Sequence, residues 1–241
     1  MEIIAELHPQ HGGKAGLIRE FIREAALNGA DVAKFQLYDA EALLGSDRWN
    51  YLQLDFEMVK KIKRWCDEDG IEFMCSVFDE ERLQWCEEIG VKRHKIASRT
   101  VKDPRLCEAI IATGKPIIMS LGMHDGQDLP YADHANISYL HCKSSYPAFT
   151  EEMCDFPASF SANGVAGYSD HCLGIGVCLL AIARGATIIE KHMSLNKATQ
   201  LDTERAHVCS MTPAELAQLR RVGGELCRIH ARVGAVAPRK R

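Results

Sequence analysis

Two histidines stand at matching positions late in the chain, each directly after a short apolar run. GYSDHCLG (167–174) carries His171, and EKHMSL (190–195) carries His192. If the two runs are neighbouring strands, their ends bring the two imidazoles together. Two neutral imidazoles facing a cleft suit a divalent transition metal with open coordination positions. The alternative for each histidine is a hydrogen bond to a backbone carbonyl, because no tight ligand spacing such as HExxH accompanies them.

Two lysines lie inside otherwise apolar runs, Lys34 in DVAKFQ and Lys95 in RHKIAS. A buried ammonium needs an anionic partner, because removing it from water is costly. One interpretation is a site for a phosphate or carboxylate, shared with nearby hydroxyls of Ser76, Ser98 and Ser120. A second is a Schiff base between a lysine and a carbonyl substrate. A third is an ion pair with a glutamate of the same fold, such as Glu6 or Glu190.

The runs that carry these residues alternate with amphipathic helical patterns along the whole chain. Continuous apolar runs are typical of parallel strands buried on both faces. The predicted strands are 2–7, 31–36, 72–77, 93–98, 116–121, 137–142, 165–169 and 187–192. Eight such units in 241 residues predict a single-domain (β/α)₈ barrel, an α/β fold, over 1–241, with 237–241 as a flexible tail. The connections after the fifth and sixth strands look too short for full helices. A doubly wound open sheet is the alternative, but its GxGxxG fingerprint is absent.

Chemistry in such a barrel gathers at the carboxyl ends of the strands. Nearly every predicted strand ends there in polar or charged residues, which a purely structural face does not need. The candidates at these ends are Glu6, Lys34, Gln36, Ser76, Lys95, Ser98, Ser120, Lys143, Ser169, His171 and His192. His8, His141, Asp170 and Lys191 stand at the same strand ends.

Composition narrows the class of protein. The formal net charge is −4, which argues against a nucleic-acid surface. No apolar stretch approaches the roughly 18 residues of a membrane span, and the amino terminus lacks the pattern of a signal peptide. The ten cysteines form no CxxC pair and lie mostly in apolar patterns. They predict buried free thiols and a cytoplasmic location.

Seven stretches, in this order, resemble the catalytic barrel of the sialic acid (N-acetylneuraminate) synthases and their relatives, the phosphoenolpyruvate-condensing nonulosonate synthases. They are AELHPQHGG (5–13), AKFQ (33–36), KIAS (95–98), GKPIIMSLGM (114–123), LHCKSSYP (140–147), GYSDHCLGI (167–175) and IIEKHMSL (188–195). The resemblance spans nearly the whole chain, and GYSDHxLGI followed by EKH is its most specific part.

The resemblance implies a carbon–carbon bond-forming transferase of carbohydrate biosynthesis. Phosphoenolpyruvate would condense with a sugar aldehyde, and a 3-deoxy-2-keto acid and phosphate would result. His171 and His192 would hold the metal, Mn²⁺ by resemblance, with Mg²⁺ or Co²⁺ as alternatives. Glu6 would handle a proton, and Tyr146 would face the acceptor. The anion of phosphoenolpyruvate would meet Lys34, Lys95, Ser76, Ser98, Ser120 and Ser169. Gln10 and His11 match the family's first loop.

Departures from the family pattern concentrate where the acceptor sugar would bind. Arg99 and Thr100 follow KIAS where the family usually has glycine and a polar residue. Ser144 or Ser145, with Lys143 beside them, replaces an asparagine before the tyrosine. Asp202 is the nearest candidate for an acid that the family carries after the second histidine. Lys143 and Arg99 add positive charge, so we expect an acceptor with its own negative charge.

The family typically carries a carboxyl-terminal antifreeze-like domain, whereas this sequence stops after the last barrel helix. Acceptor recognition would then come from the barrel loops or from a separate antifreeze-like protein. The resemblance also implies a homodimer. Two other functions stay open: a lysine Schiff-base aldolase or lyase on the same barrel, and a non-catalytic relative that binds a metabolite without turnover.

Overall fold

Eight short parallel strands pair in chain order and close into a barrel in the computed structural model of the chain. The structure describes residues 1–160, 164–197 and 206–235. The strands are β1 (Glu2–Glu6), β2 (Val32–Leu37), β3 (Glu72–Val77), β4 (His94–Ile96), β5 (Ile117–Ser120), β6 (Ile137–Cys142), β7 (Val165–Asp170) and β8 (Ile188–His192). All eight predicted strands are confirmed, and so is the (β/α)₈ barrel. β4 is the shortest, because residues 93 and 97–98 of the predicted run do not join its ladder.

Helices follow most of the strands and pack around the barrel. They are α1 (Ala15–Leu27), α2 (Ala40–Leu44), α3 (Phe56–Glu68), α4 (Glu80–Glu88), α5 (Pro104–Ala112), α6 (Gly176–Ala183), α7 (Ala206–Cys209) and α8 (Pro213–Ala235). In the described residues no α-helix separates β5 from β6 or β6 from β7, as the short connections predict. Thr212 and Glu215 form a capping box at the start of α8, with Glu215 N–H 3.2 Å from the Thr212 hydroxyl oxygen.

The barrel interior is built in layers. Five apolar side chains fill the lower layer as a separate core cluster: Ile4, Val32, Met74, Ile118 and Leu140. Successive side chains of a strand point to opposite faces, so the residue two positions further on points inward again. Those positions carry Glu6, Lys34, Ser76, Ser120 and Cys142. A polar layer therefore lies directly above the apolar one, at the carboxyl ends of the strands.

The larger core lies between the outer face of the barrel and the helices, and it includes buried side chains of all eight strands, with Ile96 as the contribution of β4. None of the described helices combines the length and apolar character needed to cross a bilayer. All ten cysteines are free thiols, and eight are buried, as the apolar patterns predict.

Candidate active site

The polar layer forms the floor of a cavity of about 690 Å³ that opens at the carboxyl ends of the strands. Twelve of the predicted site residues line it, from all strands of the barrel and the loops that follow them. They are Glu6, Lys34, Gln36, Ser76, Lys95, Ser98, Ser120, Ser144, Tyr146, Ser169, His171 and His192. The barrel thus brings together side chains that lie up to 186 residues apart in the sequence.

Two carboxylates and two ammonium groups alternate across the floor. Lys34 forms an ion pair with Glu6, and its Nζ also lies 3.9 Å from Glu190. Lys95 Nζ lies 3.9 Å from the other oxygen of Glu190. All four side chains are at most 9% exposed. The ion pairs with Glu6 and Glu190, one of the three interpretations of the buried lysines, are therefore present.

Hydroxyl groups complete the surroundings of both lysines. Lys34 Nζ donates to Ser76 Oγ at 3.2 Å. Lys95 Nζ donates to Ser120 Oγ at 2.7 Å and to the Ile96 carbonyl at 2.9 Å. Because ammonium and hydroxyl groups both donate to oxyanions, this floor also has the donors that a phosphate or carboxylate needs.

The two lysines differ in their proton affinity. Burial lowers the pKa of Lys95 to about 8, and the attraction of Glu190 offsets only part of that effect. Burial acts on Lys34 too, but the attraction of both Glu190 and Glu6 outweighs it and raises the pKa. Burial also raises the pKa of Glu6 against the opposing charge of Lys34. A carboxyl group with a raised pKa is suited to proton transfer near neutral pH.

The two histidines meet at one wall of the cavity, as the sequence predicts for neighbouring strand ends. The ring centres of His171 and His192 lie 5.8 Å apart, and the Tyr146 ring lies 4.0 Å from His171. His171 Nδ1 lies 2.8 Å from the Lys143 carbonyl oxygen, so Nδ1 carries the proton and donates it. The lone pair of His171 is therefore on Nε2. A carbonyl partner on the second ring nitrogen is usual for metal-ligating histidines.

The donor set fits a divalent metal in part. The described residues hold no group of three or more histidine, cysteine, aspartate or glutamate side chains arranged around one point. In their neutral form the two imidazoles are nitrogen donors of the kind that transition metals accept. They would supply two ligands, and the remaining positions would fall to water and substrate oxygens.

A second pair of histidines, His8 and His11, lies in the loop after β1, and His8 lines the cavity. Gly13 N–H donates to His11 Nδ1 at 2.9 Å, so His11 Nε2–H donates to His8 Nδ1 at 2.9 Å. His8 Nε2–H then donates to Tyr38 Oη at 2.8 Å. Burial lowers the pKa of His11 to about 4 and that of His8 well below its ordinary value. Both imidazoles are thus neutral, and they hold the loop against β2.

Two predicted site residues, Lys143 and Asp202, do not join the lining of the cavity in the part of the chain that the structure describes. Lys143 contributes its backbone carbonyl to His171, but the residues that line the cavity do not include its side chain. The structure therefore gives no support to the prediction that the Lys143 ammonium group binds substrate. Asp202 lies outside the described residues, so its predicted role stays a prediction.

Sequence reasoning named Glu190 only as a lysine partner and did not include Tyr38 among the site residues. Both line the cavity. Each lies two positions from a residue that was predicted, Glu190 before His192 and Tyr38 after Gln36. The two-residue period of a strand was the signal that could have found them.

The mouth of the cavity is largely apolar on one side. The segment that follows β2 contributes Leu43, Leu44, Trp49 and Leu52, and Phe78 and Met123 lie on other loops. Arg99 also lines this region, with its guanidinium 6.0 Å from the centre of the Phe78 ring. These loops, rather than the floor, would meet the distal part of a large substrate.

The chain forms a (β/α)₈ barrel with a cavity at its carboxyl face, and charged and hydroxyl groups line that cavity. This architecture is that of the barrel enzymes. A crystal structure of N-acetylneuraminic acid (sialic acid) synthetase from Leptospira borgpetersenii, in complex with citrate, matches with a TM-score of 0.88 and 30% identity. The match covers 99% of this chain and 87% of that one.

Sequence comparison agrees with the structural match. N,N'-diacetyllegionaminic acid synthase from Legionella pneumophila is 32% identical, over 90% of this chain and 69% of its own length. Human N-acetylneuraminate-9-phosphate synthase is 27% identical, over 90% and 67%. A model of the NeuB family matches residues 46–230. The chain belongs to the NeuB family, which confirms the resemblance seen in its motifs.

Proposed function

We propose that the protein condenses phosphoenolpyruvate with a sugar aldehyde to give a nonulosonic (sialic-type) 3-deoxy-2-keto acid and phosphate. The main support is one juxtaposition: two imidazoles at the ends of β7 and β8 face the same cavity as two lysines set among serine hydroxyls. Membership of the NeuB family, with synthases of legionaminic and sialic acids among the relatives, supports the same reaction class.

The proposed reaction joins two substrates within the cavity. The C3 carbon of phosphoenolpyruvate forms a bond to the aldehyde carbon, whose oxygen takes up a proton. Water adds at C2 and gives up one proton. The C2–oxygen bond to phosphate then breaks, the new hydroxyl passes its proton to the leaving phosphate, and a ketone remains. The phosphate and carboxylate would bind in the floor, where donors surround them: Lys34, Ser76, Lys95, Ser98, Ser120 and Ser169. Gln36 and Ser144 lie at the edge of the same cavity.

Glu6 is the residue that we assign to proton transfer. Its carboxylate accepts a hydrogen bond from the backbone N–H of His8 at 2.9 Å and forms an ion pair with Lys34. These two contacts define the orientation of the carboxylate. Binding of an anion by Lys34 would weaken the ion pair with Glu6 and raise the pKa of Glu6 further. Substrate binding would thus prepare Glu6 to hold the proton that the reaction moves.

His171 and His192 would hold a divalent metal, with Mn²⁺ as the first candidate and Mg²⁺ or Co²⁺ as alternatives. When bound, such an ion supplies Lewis-acid polarisation of the aldehyde carbonyl. Tyr146 packs against His171. The side chain as a whole is 38% exposed, but burial of its hydroxyl raises the pKa of that group. A neutral tyrosine there would orient the acceptor rather than remove a proton from it.

The first experiment measures phosphate release from phosphoenolpyruvate with Mn²⁺ and a panel of aldehydes, each with and without EDTA. The panel contains N-acetylmannosamine, other hexoses and pentoses, and phosphorylated or acidic sugars. Release that requires both an aldehyde and a metal supports the proposal and identifies the acceptor class. Phosphoenolpyruvate binding without release for any aldehyde would favour the binding-only alternative.

The acceptor is expected to carry a negative charge, and this expectation now rests on Arg99. Arg99 lines the cavity mouth, whereas Lys143 contributes only its carbonyl. The Arg99→Gln variant keeps a polar side chain and removes the charge. It should raise the KM of an acidic acceptor and leave that of phosphoenolpyruvate unchanged. An uncharged N-acetylhexosamine as the best substrate would contradict the expectation.

A lysine Schiff base is the second candidate, because burial leaves Lys95 with a pKa of about 8. A nucleophilic lysine needs such a lowered pKa. Borohydride with pyruvate would then trap Lys95 covalently, and EDTA would have no effect on turnover. Absence of a trapped adduct by mass spectrometry, with EDTA-sensitive phosphate release, would exclude this mechanism.

A cytoplasmic location, a homodimer and a separate antifreeze-like partner remain predictions. The ten free thiols support a reducing compartment. Size-exclusion chromatography with light scattering would test the dimer directly.

A further inference from the structure

A buried ion pair joins β7 and β8 on the side of the strands that faces away from the cavity. Asp170 and Lys191 are opposite each other in the strand register. Lys191 Nζ lies 2.5 Å from Asp170 Oδ2, and both side chains are 0% exposed. No step of the proposed reaction uses either residue.

Each member of the pair also holds the backbone around His171. Asp170 Oδ1 accepts a hydrogen bond from the Cys172 N–H at 2.9 Å. Lys191 Nζ donates to the Cys172 carbonyl at 2.7 Å. The chain on both sides of His171 is therefore tied to one lysine of the neighbouring strand.

Further contacts leave Asp170 little freedom. Tyr168 Oη donates to Asp170 Oδ1 at 2.8 Å, and Cys178 Sγ of α6 donates to Oδ2 at 3.1 Å. The carboxylate thus accepts four hydrogen bonds, from Tyr168, Cys172, Cys178 and Lys191, and its position is determined by β7, β8 and α6 together.

The two histidines are the next residues along each strand. His171 follows Asp170, and His192 follows Lys191, so the side chains of both histidines turn to the cavity while the pair points away from it. A link between the two preceding residues fixes the separation of the strand ends at the point where the imidazoles leave the backbone. A lateral shift of β8 against β7 would change that separation directly.

Stability alone gives no strong reason for charges at this place. A buried ion pair replaced by neutral or apolar side chains of similar volume is often as stable as before. Unlike an apolar contact, however, the pair is a directional interaction, because its hydrogen bonds have preferred lengths and angles.

We propose that the Asp170–Lys191 pair positions His171 and His192 and sets the distance between their imidazoles. The proposal rests on the metal role that the proposed function gives to these histidines. Both residues are positioning residues, since neither lines the cavity.

The test measures Mn²⁺ affinity from the electron paramagnetic resonance signal of free Mn²⁺, with no substrate present. Lys191→Met removes the charge and both hydrogen bonds of the lysine. Asp170→Asn/Lys191→Met removes both charges, so it leaves no unpaired ion in the core. We expect both variants to weaken Mn²⁺ binding by about 10- to 100-fold, taking the loss of groups that orient metal ligands as the guide to magnitude.

Two control variants separate positioning from general stability and from the metal site itself. Arg93 bridges Glu2 and Glu72 at the opposite end of the barrel, so Arg93→Met should lower the Tm and leave Mn²⁺ affinity unchanged. His171→Ala removes a proposed ligand and should abolish tight binding in a folded protein.

The outcomes are distinct. One outcome is that wild type binds Mn²⁺, that His171→Ala does not, and that the double variant binds as tightly as wild type. In that case the positioning role is wrong and the metal site stands. If the double variant does not fold, the pair serves stability and the positioning role is again wrong. If wild type itself does not bind Mn²⁺, the metal site and this inference both fail.

Discussion

Lys95 offers a test in which activity and stability should change in opposite directions. The Lys95→Met variant keeps the length of the side chain and removes the ammonium group. A hydrogen bond to a charged group contributes about 1.5–3 kcal/mol. We therefore expect the Kd of phosphoenolpyruvate to rise by roughly 10- to 150-fold, since 1.4 kcal/mol corresponds to a factor of ten. The KM of the aldehyde should change much less, because Lys95 lies in the floor.

The expected gain in stability follows from the burial of the charge. Lowering the pKa of Lys95 from 10.5 to about 8 means that its charged form costs the folded state about 3 kcal/mol near pH 7. The variant also leaves the buried Ser120 hydroxyl and the Ile96 carbonyl without the donor that Lys95 supplied, at a cost of about 1 kcal/mol each. The net gain is about 1 kcal/mol, or roughly 2–4 °C in Tm for a chain of this size.

Isothermal titration calorimetry with phosphoenolpyruvate and a thermal melt test both parts. Lys63→Met is the control, because Lys63 pairs with Asp67 on the surface of α3 and should affect neither quantity appreciably. Phosphoenolpyruvate affinity within twofold of wild type would remove Lys95 from the anion site. A fall in Tm would show that Lys95 is not held at an energetic cost, which refutes the reasoning from burial.

Three further perturbations address the metal, the pH dependence and the floor. His171→Ala, or EDTA on wild type, should abolish phosphate release while circular dichroism stays native; unchanged activity would exclude the metal. Lys95 loses its positive charge as the pH rises, so kcat/KM for phosphoenolpyruvate should fall above about pH 8. Lys95→Arg should move that fall to higher pH, and a flat wild-type profile up to pH 10 would contradict the assignment. A Cβ at Gly122 would lie 2.4 Å from Ser144 Oγ and 2.8 Å from Cys142 Sγ. Gly122→Ala should therefore raise KM values with little change in Tm, and wild-type kinetics would show that this part of the floor is not used.

Much of the site could be predicted because strands impose a period of two. In β2 that period alone places Val32 in the apolar layer and Lys34 in the polar layer above it. The order of the strands followed from the alternation of apolar runs and amphipathic helical patterns along the chain. The pairing of His171 with His192 followed from that order, since consecutive strands of a parallel barrel are neighbours.

Partners across the barrel could not be predicted in the same way. The sequence allowed Lys34 and Lys95 to face a ligand, a carbonyl carbon or a glutamate. Only closure of eight strands places Glu190 within 3.9 Å of both lysines. Such a distance depends on strand tilt and register accumulated around the whole ring, which no single segment encodes.

The sequence by itself determined the fold, the order of the strands and which residues point into the barrel, because those depend on local periodicity. Tertiary structure alone decided that Lys143 contributes a carbonyl and that Asp170 and Lys191 form a fully buried ion pair. It also decided that Lys95, and not Lys34, has a lowered pKa. These outcomes depend on burial and on charges brought together from distant segments, and those exist only after the chain has folded.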